Sequence, residues 1–92
     1  MDEAAIKALV EEVARDQFHE VAVERVDVEL DQDADGDPVW RVLLVLSATD
    51  KLEARKLSGF LRHLFARYDD DRFPLLTFRS AADDRRTRSA AA

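Results

Sequence analysis

Cysteine is missing from this chain of 92 residues, and with it go disulfides, thiolate zinc ligands and thiol nucleophiles. A metal would have to be held by oxygen atoms or by the two histidines, His19 and His63. No apolar run approaches the ~18 residues that a membrane span requires. The acidic, evenly charged start MDEAAIKALVEEVARD is unlike a signal peptide, so a cytoplasmic location without membrane contact is the expectation. Aromatics make up only 8%, and Phe60, Phe65 and Phe78 are better suited to a core than to stacking on nucleic-acid bases. Glycine occurs twice, at Gly36 and Gly59.

Charge is what the chain has in abundance, at 37% of residues against 47% hydrophobic. That balance fits one small domain able to bury only roughly 60% of its unfolded surface. The net charge of −6 hides an asymmetry: residues 1–50 carry 14 acids and 4 bases, residues 51–92 carry 6 and 10. An overall positive field, the usual mark of a nucleic-acid binder, is absent, but one basic face on an acidic body is allowed.

Ile6, Leu9, Val10, Val13 and Ala14 recur at spacings of three and four, which predicts an amphipathic helix over residues 5–18. The period then changes to two. Val26, Val28 and Leu30 alternate with Asp27, Glu29 and Asp31, as in a strand covered on one side, while Trp40 to Leu46 is apolar on both faces apart from Arg41 and reads as a central strand.

Between these strands lies DQDADGDPVW, whose spelling resembles the first half of a calcium loop. Counting Asp31 as the first position, the twelfth is Val42 instead of a bidentate glutamate, and the flanks read as strands. A hairpin turn without metal is therefore expected, with Gly36 supplying a positive φ and Pro38 outside the ladder. An odd-length loop pairs Val26, Val28 and Leu30 with Leu46, Leu44 and Val42 on the core face and sets Asp31 across from Arg41.

A second helix is expected from Thr49 or Asp50, with an apolar stripe of Leu57, Phe60, Leu61, Leu64, Phe65 and Tyr68. Leu52 falls on the opposite side of that wheel, so either a kink or break at Ser58-Gly59 lets both segments pack, or Leu52 only covers the helix start. Phe73 to Arg79 reads as a third strand, and residues 80–92 lack apolar periodicity, as in a disordered tail, although their alanines could extend a frayed helix. The expected fold is α+β over residues 1–79, in the order α-β-β-α-β, with a three-stranded sheet and both helices on one face.

That order, with Val26–Leu30 and Trp40–Leu46 as hairpin, Ser58-Gly59-Phe60-Leu61-Arg62 at the helix break and Arg72-Phe73-Pro74-Leu75-Leu76-Thr77-Phe78 at the last strand, resembles type II KH domains. The ribosome-binding factor A family is the nearest in kind. The resemblance implies an RNA or ribosomal partner contacted near the break. The chain departs from it in carrying Leu57 before Ser58-Gly59, in its acidity, and in having no GxxG clamp.

Two surfaces follow from the residues themselves. Arg55, Lys56, Arg62 and Arg67 fall off the apolar stripe beside Gly59, a basic face suited to phosphates. Asp27, Glu29, Asp31, Arg41, Leu43 and Val45 occupy the sheet face away from the helices, a mixed strip suited to a protein partner. Ser47, Thr49, Ser58 and Tyr68 carry no local signature pairing a nucleophile with a base. The expected role is a non-enzymatic binding or adaptor domain acting through protein contacts, as a homodimer or on a larger partner, without metal or cofactor. The alternative is an RNA-associated module using the basic face.

Overall fold

The computed structural model describes residues 1–91, with side chains described through Arg88. Helix α1 spans Glu3–Gln17. Asp2 caps it, its Oδ1 accepting the Ala5 N–H at 2.8 Å, and the residues it buries are Ile6, Leu9, Val10, Val13 and Ala14, the five marked by the helical period. Strands β1 (Val23–Gln32) and β2 (Pro38–Leu46) form an antiparallel hairpin. Helix α2 (Ala54–Arg67) leads to β3 (Phe73–Ser80), which lies parallel to β2 on its free side, so β2 is central as its two-faced apolar sequence predicts.

Helices α1 and α2 cover one face of the sheet. Phe18, Phe60 and Phe78 meet at its centre: the first two rings stack at 5.2 Å, and Phe78 stands edge-on to them at 6.2 and 5.8 Å. Ile6, Val10, Val26, Val42, Leu44 and Leu64 close round them, each fully buried. The fold is thus α+β with a mixed three-stranded sheet, and no helix among the described residues is long and apolar enough to cross a membrane.

The structure corrects the hairpin register by two residues. Val26 faces Leu44, Val28 faces Val42, Leu30 faces Trp40, and Arg41 lies opposite Glu29. The face each side chain occupies is unchanged, because a slip of two preserves parity. The cause is a turn centred one residue earlier, on Asp35 instead of Gly36. Asp33 receives the Gly36 N–H at its carbonyl and donates its own N–H to the Asp37 carbonyl, while its Oδ1 accepts the N–H groups of Asp35 and Asp37, both at 2.9 Å. Gly36 has φ 85°, and Pro38 joins the strand as its first residue, opposite Gln32. Leu30, expected in the core, stands 55% exposed beyond the helical cover.

Of the two readings of Leu52, the structure shows the second: α2 runs unbroken through Ser58-Gly59. Residues 49–51 make a turn instead of the first helical residues, so Leu52 reaches the core before α2 begins and the two apolar directions no longer compete within one helix. Gly59 lies mid-helix, where a Cβ would sit 3.4 Å from Gln17 Oε1, an ordinary contact with a flexible side chain. Glycine there needs no special backbone geometry. Gly59→Ala is therefore expected to stabilise the fold by about 0.5–1 kcal/mol through helix propensity. A urea midpoint that rises at constant slope is the result that checks it.

The segment expected to be a disordered tail forms helix α3 (Ala81–Ala91); Ala92 lies outside the described residues. Ser80 Oγ accepts the Asp83 N–H at 3.1 Å, Asp83 and Asp84 sit in the first turn, and Arg88 in the last, which suits the helix dipole. The helix packs on the sheet face opposite α1 and α2, a third helix where two were expected. Its anchor is Asp84, only 4% exposed. Arg25 grips this carboxylate with two hydrogen bonds of 2.9 and 3.0 Å, and Arg79 adds one of 3.4 Å.

Candidate interaction surface

Residues pointing away from α1 and α2 form four cross-strand rows: Arg25, Val45 and Arg79; Asp27, Leu43 and Thr77; Glu29, Arg41 and Leu75; Asp31, Val39 and Phe73. Period-two alternation puts them there. Of the six residues assigned to this face from the sequence, five stay accessible. Val45 is the exception: it is 2% exposed, because α3 lies over the first row. Over the middle rows is a shallow depression of about 310 Å3 whose lining includes Asp27, Glu29, Arg41, Leu43, Thr77 and Arg79. Its charges are of both signs and largely paired. Arg41 Nε meets Asp31 Oδ2 at 2.8 Å, on the diagonal instead of directly across; the Gln32 N–H and then this guanidinium hold the Asp31 carboxyl below its ordinary range.

The basic face of α2 is divided by the neighbouring acids. Lys56 Nζ lies 2.9 Å from Glu20, Arg67 2.8 Å from Glu12, and Arg55 3.3 Å from Glu53, while Gly59 turns toward Gln17 of α1. Lys56 holds the Glu20 carboxyl below its usual value. Arg62 and His63 remain exposed on this side. His19 is exposed in the α1–β1 connection. The single group of potential metal donors among the described residues is Asp33, Asp35 and Asp37, whose carboxylates approach within 4.8 Å. Asp33 already uses one oxygen to hold the turn.

Near the start of β3, Asp70 and Arg72 pair at 2.7 Å, and the Arg72 guanidinium stacks 4.5 Å from the Trp40 ring centre. Arg72 holds the Asp70 carboxyl far below the usual range, and burial pushes the Tyr68 hydroxyl up to about 12. Tyr68 donates to the Arg72 carbonyl. These contacts fix the α2–β3 connection.

The feature that sequence reasoning missed is apolar. Leu61, Phe65, Phe73 and Leu75 are 36%, 44%, 58% and 36% exposed. They are contiguous: Leu61 and Phe65 are one turn apart on α2, Phe65 and Phe73 have ring centres 6.3 Å apart, and Leu75 follows Phe73 on the same strand face. Leu30 is the only other large apolar side chain exposed among the described residues. Sequence reasoning placed Leu61 and Phe65 in the core stripe, but Phe60 and Leu64 fill that place and turn the other two toward the β3 flank. Strand parity held the usable signal, because Phe73 and Leu75 share the face of Thr77 and Arg79, away from the core side of Pro74, Leu76 and Phe78.

Comparison with known proteins found no matching family model, no matching curated protein and no matching solved structure.

Proposed function

We propose that this chain is a non-enzymatic interaction domain that works through protein contacts, with the β3 edge and the adjoining flank of α2 as its working surface. The observation that carries this is the gathering of Leu61, Phe65, Phe73 and Leu75 on one side of a small, highly charged molecule. An exposed apolar cluster within a polar rim is the usual composition of a contact surface. The perturbed groups support a structural reading of the polar residues. Asp70 and Asp84 are held charged by arginines and Tyr68 is held neutral, none of them poised for proton transfer near neutral pH.

The test is recovery of the tagged full-length chain from its native cell, with bound protein and RNA both measured. Protein capture that falls several-fold in Leu75→Lys, without RNA enrichment, is the expected result. Structured RNA bound at low salt and lost on charge reversal at Arg62 and Arg67 would replace this reading with that of an RNA-associated, KH-like module.

A further inference from the structure

The two free edges of the sheet differ. Strand β1 carries four acids, Glu24, Asp27, Glu29 and Asp31, against one base, Arg25, and an excess of like charge along an edge repels a second strand of the same kind. Strand β3, FPLLTFRS, contains no acid, and the exposed apolar cluster borders it. One edge is guarded and the other is open.

We infer that the β3 edge, with the Leu61 and Phe65 flank of α2, seats a second copy of this chain in an antiparallel two-fold arrangement. This rests on the protein-contact reading above and names its partner. Charge selects the direction. Asp69 and Asp71 lie exposed just before β3, and Arg79 lies near its end. With Leu75 on the two-fold axis, Phe73 faces the partner's Thr77 and Asp71 faces the partner's Arg79; a parallel arrangement would set Asp71 against its own copy. Arg79 is half-buried at the margin of α3, but its bond to Asp84 uses one guanidinium nitrogen and is long, at 3.4 Å, which leaves the others for this contact.

Pro74 offers a carbonyl but no N–H, so backbone pairing is thin and side chains carry the contact. The two α2 helices approach through Leu61 and Phe65 on one side of the extended sheet, and Phe73 and Leu75 pack on the other. This is an apolar centre rimmed by Arg62, Asp69 and Asp71, all exposed. Because each copy presents the same patch, the contact closes at two subunits.

Light scattering and sedimentation equilibrium on the full chain, from low to several hundred micromolar, test this. A dimer is expected, weakened about tenfold or more in the double variant Phe73→Ser, Leu75→Lys, with an unchanged circular-dichroism spectrum. Because the chain has no cysteine, Leu75→Cys gives a fold-preserving second reading. Opposed residues on the axis lie within disulfide reach, so mild oxidation should link this variant into dimers and leave Glu29→Cys monomeric. A monomer at every concentration overturns the inference, as does a dimer that survives the double variant unweakened or cross-links through Glu29→Cys. A monomer that still captures another protein through Phe73 and Leu75 overturns the second copy alone and leaves the binding role standing.

Discussion

Phe60→Ala should destabilise the protein by about 3–5 kcal/mol, the range for truncating a large buried aromatic. Phe60 has no exposed surface and touches both other rings of the central cluster, stacking on Phe18 and standing edge-on to Phe78. Its removal forfeits burial and leaves a cavity where α1, α2 and β3 meet, a site with three rigid walls and little freedom to collapse. Native domains are stable by only about 5–15 kcal/mol in total, so the variant gives up a large share of its stability. Each kcal/mol corresponds to about 4–8 °C in melting temperature. Phe65→Ala is the matched control: the same residue type in the same helix, 44% exposed, should cost about 1 kcal/mol or less. Equal losses in the two variants would contradict the placement of the core.

Asp84→Asn should release α3 from the sheet. The carboxylate is the shared acceptor of Arg25 and Arg79, and an amide keeps its shape while removing the charge that both arginines face. No large apolar side chain of α3 replaces that anchor: its sequence, AADDRRTRSAA, contains none. An undocked helix of 11 residues falls below the ~12–15 at which isolated helices become stable in water. It should therefore melt once released. Circular dichroism should lose roughly a quarter of the helical signal, given helices of 15, 14 and 11 residues, and Val45 should become accessible. Acid should do the same to the unmutated chain. The hydrogen bonds from Arg25 hold the Asp84 carboxyl below its ordinary range. The folded value thus lies below the unfolded one, and docking is fully supported above about pH 4 and lost as pH falls from there through the depressed value. Amide exchange across α3 as a function of pH measures this. Protection that is unchanged in Asp84→Asn would show that α3 is held by something else.

The buried face of the first helix could be read from the sequence, because its burial follows a single period, whereas its start at Glu3, two residues earlier than expected, is set by the Asp2 cap. The strand faces were legible for the same reason. Which rung faces which was not, because period two fixes the face only, and the rung depends on how Asp33 and Gly36 fold the turn. The start of α2 was misplaced because Thr49 and Asp50 carry capping side chains but belong to a turn that brings Leu52 to the core. Helix α3 was hidden by its lack of apolar period. Its anchor joins residues 59 positions apart, although Ser80-x-x-Asp83 was a local cue to its start. Within the candidate surface, Arg41, Leu43 and the acids of β1 were placed on their observed face, whereas Leu61 and Phe65 were lost in a stripe too wide for one helix flank to bury.

Strand order also has a meaning in time. β2 meets β1 across a turn of a few residues, but it meets β3 only after α2 has been laid down, with Val39 finding Phe73 about 34 residues later. Closing that longer loop must overcome more chain entropy before any contact repays it, so the parallel seam is the late one. A nascent chain thus has its hairpin before its third strand. Until that strand docks, Val42 and Leu44 of β2 stand uncovered along one side, and crowding of unfinished chains is most hazardous in this interval.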